Sequence, residues 1–501
     1  MQRRTFLRLS AATIATGAGC TQHPSEHTAP LPSAWDWQEL HQALQGDVLL
    51  PDHADFARIA KSANARYDDQ IPAAMIRCAN SQDVQLSVLF LRRFQLPFAV
   101  RGGGHCYTGG SSTQGVLLDM SGLSAISLQD DVATIGAGAK LGDIYATLGA
   151  AGRSIPAGSC VSVGISGLAL GGGLGIADRQ FGLTCDAILR IRLVTADGKL
   201  LDCDANQHSE LFWALCGGGG GQFGIVTEFV FQTFATAPIR NYIGRYPLAD
   251  GETVLGEWQD WLQQLPNEVW SQATIWFSGN PNRPPEIQIR ACSIGFPQLL
   301  TQHWQQLELR LAGVWSDLDM QDHRYLDFML SDCAGLDQDQ CKLPNQHSAG
   351  LLRRSAMTGS SDLFHHTIPA SGLTQLLTAI RHRHQQGFRG GVMLTIMGGA
   401  IQHRAHHDTA FAHRKAILSA QYVVINPVGT AETVLAEAAQ WSNQMRAVMK
   451  PWSSGGAYLN YSDSLLRDWG KAYYGDHYSR LQKIKQQYDP QLLFQGRHRI
   501  Q

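Results

Sequence analysis

Three glycine-dense stretches limit what this chain can fold into. The first is Arg101-Gly-Gly-Gly-His105, the second spans residues 158–175 and contains Cys160, and the third spans residues 217–224. Glycine lacks a Cβ and adopts positive φ, so backbone N–H groups in such runs can closely approach a phosphate or a ring edge. Apolar, strand-like residues flank each run, which argues against flexible linkers. The pattern therefore indicates loops between strands that hold a large, flat ligand.

Length and charge narrow the class of protein further. With 501 residues, of which 44% are hydrophobic, the chain exceeds what one hydrophobic core usually serves, so two domains are expected. Forty basic and 42 acidic residues give a net charge of -2 without a basic run, which argues against a nucleic-acid partner. Small-molecule chemistry is the remaining expectation.

The N-terminus predicts export. Residues 2–8, Gln-Arg-Arg-Thr-Phe-Leu-Arg, precede a modestly apolar run, a pattern typical of twin-arginine signals, which direct folded proteins across a membrane. A cofactor inserted before export would explain that route. We therefore expect a periplasmic or extracellular protein. Cys20 follows Thr16-Gly-Ala-Gly19, which resembles a lipoprotein cleavage box, but Gly17 stands where leucine is usual, so a lipid anchor there is left open.

The ten cysteines are too irregularly spaced for a disulfide framework. Cys333 and Cys341 flank a polar loop and are the best candidates for a disulfide. Six others lie among apolar neighbours and are expected to be buried free thiols: Cys78, Cys106, Cys185, Cys203, Cys216 and Cys292. The spacing of His and Cys residues supports no zinc site.

Hydrophobic periodicity indicates an α+β protein. Strands are predicted at residues 97–100, 115–118, 132–135, 188–194 and 392–397, and helices at 83–94, 253–265, 298–311 and 434–448. Glycine density falls near residue 235. The expected divisions are a signal and tether at 1–34, a first domain at 35–235 with its core at about 67–235, a second domain at 236–454, and a segment at 455–501 that returns to the first domain.

One glycine motif invites a different interpretation. Gly136-Ala-Gly-Ala-Lys-Leu-Gly142 follows a predicted strand, as a nicotinamide-binding turn would. Its third glycine is one residue late, and no clear acidic residue ends a following strand. A nicotinamide site is therefore not expected.

An ordered set of segments resembles the berberine bridge enzyme-like oxidases, within the vanillyl-alcohol-oxidase type of flavoprotein. The set comprises residues 101–105, 160–175, 211–224, 398–401, 409–414, 458–461 and 488–494. The resemblance implies a PCMH-type FAD-binding domain plus a substrate domain with an antiparallel sheet covered by helices. It also implies that residues 409–414 form a helix.

The resemblance implies that FAD is bonded twice, through His105 to the flavin 8α-methyl and through Cys160 to ring carbon C6. An imidazole nitrogen and a thiolate can each add to an electrophilic flavin. The alternative is a hydrogen-bonded loop histidine and a buried thiol. Further cofactor contacts are implied for Arg101, Gly102, Gly103, Gly104, Gly109, Gly110, Val163, Gly164, Gly167, Gly172, Gly173, Gly224, Ile225, Val226, Tyr458 and Asn460.

Alcohol oxidation needs a base, because the O–H proton must leave as the C–H hydride passes to flavin N5. Tyr461 is the predicted base, with Asn460 and Tyr458 as further catalytic candidates. In an extended segment the side chains alternate, so Tyr458 and Asn460 would face one way and Leu459 and Tyr461 the other. A free phenol has a pKa of about 10, so Tyr461 would need an activating partner, which the sequence does not name. A core tyrosine is the alternative.

Other residues bear on the acceptor and the substrate. Val163 lies where the family gates oxygen access by side-chain bulk, and valine favours an oxidase that makes H2O2. The strand at 392–397 offers only Thr395 as a polar side chain, so either the substrate is less polar or polar contacts come from elsewhere. Cys216 and Gln222 depart from the family pattern. Four histidines, namely His403, His406, His407 and His413, are expected to be solvated, and no metal is predicted.

The sequence thus predicts an exported FAD-dependent oxidase with bicovalent flavin. The substrate is expected to be an alcohol carbon of a carbohydrate or of a hydroxylated secondary metabolite. Two alternatives stay open: a dehydrogenase of the same fold that uses a quinone or cytochrome, and a non-catalytic flavin-binding protein.

Overall fold

The computed structural model describes residues 31–496 and 498–501. The predicted export signal and Cys20 lie outside the described residues. Helices and mostly antiparallel sheets alternate along the chain, so the α+β prediction is confirmed. Within the described part of the chain, we find no helix with the length and apolar character needed to cross a membrane.

The strands form three main sheets and one two-stranded pair. In chain order they are β1 (Asp47–Leu49), β2 (Ala74–Arg77), β3 (Phe98–Arg101), β4 (Val116–Asp119), β5 (Ile126–Gln129), β6 (Val132–Gly136), β7 (Arg153–Ser154), β8 (Ile188–Val194), β9 (Leu200–Cys203), β10 (Ile225–Gln232), β11 (Phe234–Ala235), β12 (Ile239–Pro247), β13 (Val269–Ser278), β14 (Glu286–Ile294), β15 (Asp317–His323), β16 (Ala356–Phe364), β17 (Arg389–Ile396) and β18 (Leu418–Asn426).

The α-helices fill the connections between these strands. They are α1 (Ala34–Ala43), α2 (Phe56–Ala60), α3 (Ser81–Arg93), α4 (Leu141–Ala150), α5 (Ile165–Leu170), α6 (Asp178–Phe181), α7 (Ser209–Leu215), α8 (Gly251–Leu262), α9 (Pro297–Arg310), α10 (Tyr325–Met329), α11 (Ala370–Gln385), α12 (Ala400–His403), α13 (Glu432–Met449), α14 (Trp469–Tyr474) and α15 (Tyr478–Tyr488).

Two sheets build the N-terminal half. The first has the order β1-β2-β4-β3, with β2, β4 and β3 parallel, and the second has the antiparallel order β5-β6-β10-β8-β9. Helix α3 packs between them, because Val84, Val88 and Leu91 repeat at helical spacing and are fully buried. Asn80 caps this helix by accepting a hydrogen bond from the N–H of Asp83. The first glycine run begins at the end of β3, and the third ends at the start of β10.

A seven-stranded antiparallel sheet, ordered β15-β12-β14-β13-β17-β18-β16, forms the second half. Helices α8, α9, α11 and α13 cover one face, where Trp258, Trp261 and Trp304 are buried. The side chains on the other face alternate with these core residues. That second face is therefore left to line a site.

The two halves and the C-terminal segment are tied together by buried polar groups. Arg179 of α6 donates hydrogen bonds to the carbonyl oxygens of Val269 and Met397 on the seven-stranded side. The Tyr474 hydroxyl donates to the Gly218 carbonyl at 3.0 Å, and the Lys485 ammonium donates to the Gln222 carbonyl at 2.6 Å. The C-terminal segment thus contacts the third glycine run.

Most of the predicted elements are present with small shifts at their ends. The structure places strands at 98–101, 116–119, 132–136, 188–194 and 389–396, and helices at 81–93, 251–262, 297–310 and 432–449. Cys333 and Cys341 form a disulfide. Cys106 is half-buried, whereas the other five predicted free thiols are buried. The helix implied for residues 409–414 is wrong, because this segment is an irregular loop pinned by the buried ion pair of Arg414 and Asp186.

Candidate active site

Two glycine loops pack against each other at the centre of the site. Residues 102–104 follow β3, and Gly164 precedes α5. A Cβ on Gly103 would lie 2.2 Å from the Gly164 nitrogen, and a Cβ on Gly164 would lie 2.4 Å from the Gly103 nitrogen. Glycine is therefore required here for loop packing as well as for close approach of a ligand. The expectation that a flat ligand alone explains these glycines was incomplete.

The first loop presents unpaired backbone donors. Among the described residues, no group accepts a hydrogen bond from the N–H groups of residues 102–108. The Gln346 side chain donates to the carbonyl oxygens of Gly103 and Ser162, at 3.1 and 2.8 Å, and so joins both loops through their acceptors. A run of free N–H groups fits an anion such as the pyrophosphate of FAD.

His105 is half-buried and is oriented by the second loop. Its Nε2 lies 3.1 Å from the Ser162 hydroxyl oxygen. Burial lowers the pKa of His105 to about 4, opposed by a hydrogen bond to Ser162 and reinforced by the charge of Lys140. The imidazole is therefore neutral near pH 7, which is the form that can act as a nucleophile.

Cys160 is exposed, but its surroundings raise the pKa of its thiol and so favour the protonated form. Protein on its other sides raises the pKa of the thiol, and the charge of Asp332 adds to that effect. Cys160 is close enough to Tyr107 and Tyr461 to raise the pKa of each phenol. A thiolate at this position would need its proton removed when a bond to the flavin forms.

The segment carrying the predicted catalytic residues is not extended. Leu459–Tyr461 forms a 3-10 turn in which the Tyr461 N–H donates to the Tyr458 carbonyl at 3.0 Å. The predicted alternation of side chains is therefore wrong, and the two tyrosine rings are neighbours, with centroids 4.9 Å apart and planes at 87°. The turn is favoured because Asn460 donates to both the Leu168 carbonyl and the Tyr458 hydroxyl.

The two tyrosine hydroxyls differ in their partners. Tyr458 is only 2% exposed, and its oxygen accepts from the Gly173 N–H at 2.9 Å, the Leu174 N–H at 3.2 Å and the Asn460 amide at 2.8 Å. Tyr461 is half-buried, and no hydrogen bond to its hydroxyl is found in the described part of the chain. Tyr458 and Asn460 therefore position the segment, and Tyr461 has the hydroxyl that is available for a substrate.

The surroundings of Tyr461 oppose ionisation. Burial raises the pKa of its phenol well above the ordinary value, and Tyr458, Tyr107, Cys160 and Asp178 raise it further. No cation is among the groups that set this pKa in the described chain. The group that would activate Tyr461, which the sequence does not identify, is therefore not a nearby lysine or arginine.

Polar side chains from neighbouring strands face the tyrosines. Gln272 of β13 donates to the Thr395 hydroxyl at 2.8 Å, and Thr274 donates to the Gln272 carbonyl oxygen at 3.2 Å. Gln421 of β18 lies opposite Met393 in the sheet and donates to the Tyr107 hydroxyl at 2.8 Å. Strand β17 offers few polar side chains, which left two alternatives: a less polar substrate, or polar contacts from other elements. The structure favours the second, because β13 and β18 supply polar side chains on the same face.

Several predicted cofactor contacts are occupied by protein. The Arg101 guanidinium is buried and donates to the carbonyl oxygens of residues 59, 60, 61 and 111, so it fixes the loop and presents no free charge to a ligand. A Cβ on Gly109 would meet the Tyr67 ring at 2.6 Å, and one on Gly224 would meet Leu193 at 2.6 Å. These glycines are explained by packing.

The remaining predicted residues are distributed around the two loops. Gly110 and Gly167 are exposed, and a Cβ on Gly167 would meet nothing within 4 Å. Gly172 and Gly173 have φ values of 115° and 91°. Val163 is half-buried, and Ile225 and Val226 are buried at the start of β10.

Three residues at the site were not predicted. Tyr107 stacks near Tyr461, with ring centroids 6.3 Å apart and planes at 17°, and Gln421 binds its hydroxyl. Asp178 is buried at the start of α6, which raises its pKa to about 7, and its Oδ1 has no partner among the described residues. The sequence could have indicated Tyr107, which lies two residues after His105. It could not have indicated Gln421, because only the register of the strands brings Gln421 to Tyr107.

The four histidines of the 400s differ in exposure. His403 and His407 are exposed and His406 is half-buried. His413 is buried, with Nε2 3.0 Å from the Tyr473 carbonyl oxygen, and burial lowers its pKa to about 4. The prediction that His413 is solvated was therefore wrong, because its loop turns inward against the C-terminal segment.

Known protein families match the two parts of the chain that build this site. Residues 72–204 match an FAD binding domain, and residues 457–501 match the family described as berberine and berberine like. An uncharacterized FAD-linked oxidoreductase of Bacillus subtilis (strain 168) is 28% identical over 460 residues, covering 90% of this chain and 96% of that protein. The monolignol oxidoreductase AtBBE-like 13 of Arabidopsis thaliana is 26% identical, covering 99% and 95%.

Solved structures share the fold. Wild-type BBE-like 1 of Physcomitrella patens superposes with a TM-score of 0.82 at 24% identity, covering 93% of this chain and 99% of that one. A chitooligosaccharide oxidase superposes with a TM-score of 0.80 at 23% identity, covering 92% and 98%.

Proposed function

Because the chain is a berberine bridge enzyme-like FAD-linked oxidoreductase, we propose that it oxidises an alcohol carbon of a carbohydrate or of a hydroxylated secondary metabolite. The observation that carries this proposal is the unpartnered hydroxyl of Tyr461, whose ring stacks with the ring of Tyr107. Solved relatives named as chitooligosaccharide oxidase and xylooligosaccharide oxidase, and a relative named as a monolignol oxidoreductase, support both substrate classes.

The residues present fit FAD. The free N–H groups of residues 102–108 would hold the pyrophosphate, and His105 and Cys160 would form the two covalent bonds to the ring. FAD held there would supply the acceptor for the substrate hydride, and O2 would then take up two electrons and two protons and leave as H2O2. The neutral imidazole of His105 supports this assignment, because a protonated ring could not add to the flavin.

The protein's own groups manage the proton and the substrate. Tyr461 would accept the hydroxyl proton of the substrate, and Tyr107, held by Gln421, would bind the same oxygen. Gln272 and Thr395 would bind further hydroxyls of the substrate along the sheet. Tyr458 and Asn460 would keep Tyr461 in position through their own hydrogen bond.

Stopped-flow measurement of flavin reduction tests the role of Tyr461. Tyr461→Phe removes only the hydroxyl, so reduction by a substrate found in a sugar-and-alcohol panel should slow by at least about a hundredfold. Tyr458→Phe is the matched control, because its hydroxyl binds protein groups, and reduction should stay within about tenfold of the wild-type rate. Unchanged reduction in Tyr461→Phe would end the assignment of the base.

We also propose that O2 is the acceptor, as the small side chain at Val163 suggests. Val163→Leu should slow reoxidation of the reduced flavin by at least about tenfold while reduction by substrate is retained. A wild-type protein that reacts slowly with O2 but rapidly with a quinone would be a dehydrogenase instead.

Export remains part of the proposal. Replacing Arg3 and Arg4 with lysine should retain the protein in the cytoplasm, which fractionation of producing cells would detect. Export that does not depend on this arginine pair would contradict the twin-arginine route.

A further inference from the structure

A cluster of histidines lies outside the flavin site, where a surface loop meets the C-terminal segment. The histidine cluster comprises His406 and His407, which follow α12, and His477, which ends the 3-10 turn before α15. One ligand nitrogen from each ring lies within 4.8 Å of the others. The ring centroids are 4.4 Å apart for His406 and His477, and 4.6 Å apart for His406 and His407. Imidazole nitrogens are common ligands of zinc, copper and nickel, so three that converge form a candidate metal site.

Two nitrogens of the cluster are buried and have no partner. His477 is 3% exposed, and its Nδ1 lies 3.3 Å from the Ala410 carbonyl oxygen, so Nδ1 carries the proton. Its Nε2 therefore holds a free lone pair, and this atom has no hydrogen-bond partner among the described residues. Nδ1 of His406 is also buried without a partner there. Unsatisfied buried nitrogens are costly, so each calls for an explanation.

A carboxylate lies at the same point. One oxygen of Asp476 is 2.9 Å from Nε2 of His406 and 3.8 Å from Nε2 of His477. Histidine ligands of metals usually donate their second nitrogen to a carbonyl or a carboxylate, as His477 does to Ala410. Asp476 also brings a negative charge to the cluster, which lowers the cost of placing a dication there.

We propose that His406, His407 and His477 bind one divalent transition-metal ion of the zinc, nickel or copper type. Imidazole nitrogen suits these ions, whereas Mg²⁺ and Ca²⁺ prefer oxygen ligands. A zinc ion holds imidazole nitrogens at about 2.1 Å, so two ligand atoms can be at most about 4.2 Å apart. The three nitrogens all lie within 4.8 Å of one another, and the ring of His407 is exposed and can turn towards the other two.

The ion would join two segments, the loop after α12 and the C-terminal segment, and α7 packs against both. Trp213 of α7 packs against His477 with ring centroids 5.3 Å apart, and its indole N–H donates to the His407 carbonyl at 2.8 Å. Helix α7 leads directly into residues 217–221. The bound ion therefore holds the loop after α12 to the C-terminal segment, at the surface on which α7 packs.

Zinc binding to the flavin-loaded, tag-free protein tests this site. After treatment with a chelator, calorimetric titration with Zn²⁺ should show one saturable site, and Co²⁺ should give the visible bands of a nitrogen-ligated ion. Zn²⁺ should also raise the Tm, because it binds the folded state alone.

Histidine variants distinguish Zn²⁺ binding at the cluster from binding to other surface histidines. His407→Ala alters an exposed ring and should weaken Zn²⁺ binding by at least about tenfold, as should His406→Ala, with an unchanged flavin spectrum as the check of folding. His403→Ala, an exposed histidine outside the cluster, should bind as the wild type does. Wild-type protein without saturable binding, or wild-type affinity for Zn²⁺ in both His406→Ala and His407→Ala, would overturn the proposal.

Discussion

The proposed flavin side and the proposed substrate side of the site differ in the groups that would make the contacts. On the flavin side, the contacts would be made by backbone atoms. Gly103 and Gly164 are in direct contact, and a run of free N–H groups lies beside them. On the substrate side, side chains such as Gln272, Thr395 and Gln421 project from the sheet. Backbone recognition tolerates almost no substitution, whereas a side-chain surface can change residue by residue. We therefore expect single substitutions in the glycine loops to abolish flavin binding. Single substitutions on the sheet should reduce activity in smaller steps.

The largest effect on flavin binding is expected from substitution of Gly103. Gly103→Val would place carbon atoms against the Gly164 backbone, where a Cβ alone lies 2.2 Å from nitrogen. Both loops would move apart, so the variant should be recovered without flavin or not at all. The matched control is Gly256→Ala in α8, a helix on the seven-stranded sheet, which has open space around the added methyl and should bind flavin normally. Visible absorbance per polypeptide measures both. Normal flavin content in Gly103→Val would show that the loops are not closely packed.

The pH dependence of flavin reduction should show the next largest effect. Burial and neighbouring phenols raise the pKa of Tyr461, so the proton-accepting form is scarce at neutral pH and grows as pH rises. Reduction should therefore accelerate by about tenfold per pH unit, without a plateau below about pH 10. Stopped-flow traces from pH 7 to 10 measure the slope, and Tyr461→Phe should abolish it. A wild-type rate that is flat over this range would exclude Tyr461 as an unassisted base.

On the substrate side, single changes should have moderate effects. Gln272→Leu removes a side chain that binds Thr395 and faces the tyrosines, so KM should rise by about tenfold while kcat changes little. Steady-state kinetics with the best substrate measure the two constants. If kcat falls and KM is unchanged, Gln272 acts in the reaction and is not a binding residue.

Tyr458→Phe should affect stability and leave the chemistry largely intact. The Tyr458 oxygen accepts three hydrogen bonds in a buried place, and its loss leaves those donors unpaired. The expected cost is about 1–3 kcal/mol, visible as a fall of several degrees in Tm. A wild-type Tm would show that water replaces the lost oxygen and that Tyr458 does not secure the segment.

The same contrast explains what could be predicted from the sequence. Glycine runs, apolar periodicity and the His105 and Cys160 motifs are local signals, so the strands, the long helices and the flavin side could be anticipated. Gln421 meets Tyr107 across 314 positions through strand register, which one sequence does not display. His477 joins His406 and His407 through the return of the C-terminal segment. The turn at residues 459–461 was missed because the hydrogen bond of Asn460 to Leu168 outweighs local β preference.

The mass of the denatured protein tests the central claim, which is that His105 and Cys160 both bond to the flavin. We expect the unfolded polypeptide to be yellow and heavier by one FAD, and His105→Ala and Cys160→Ala each to keep the flavin through the remaining bond. The double variant should release it on denaturation. A wild-type polypeptide with the mass of the chain alone, and its yellow colour left in the supernatant, would contradict the account.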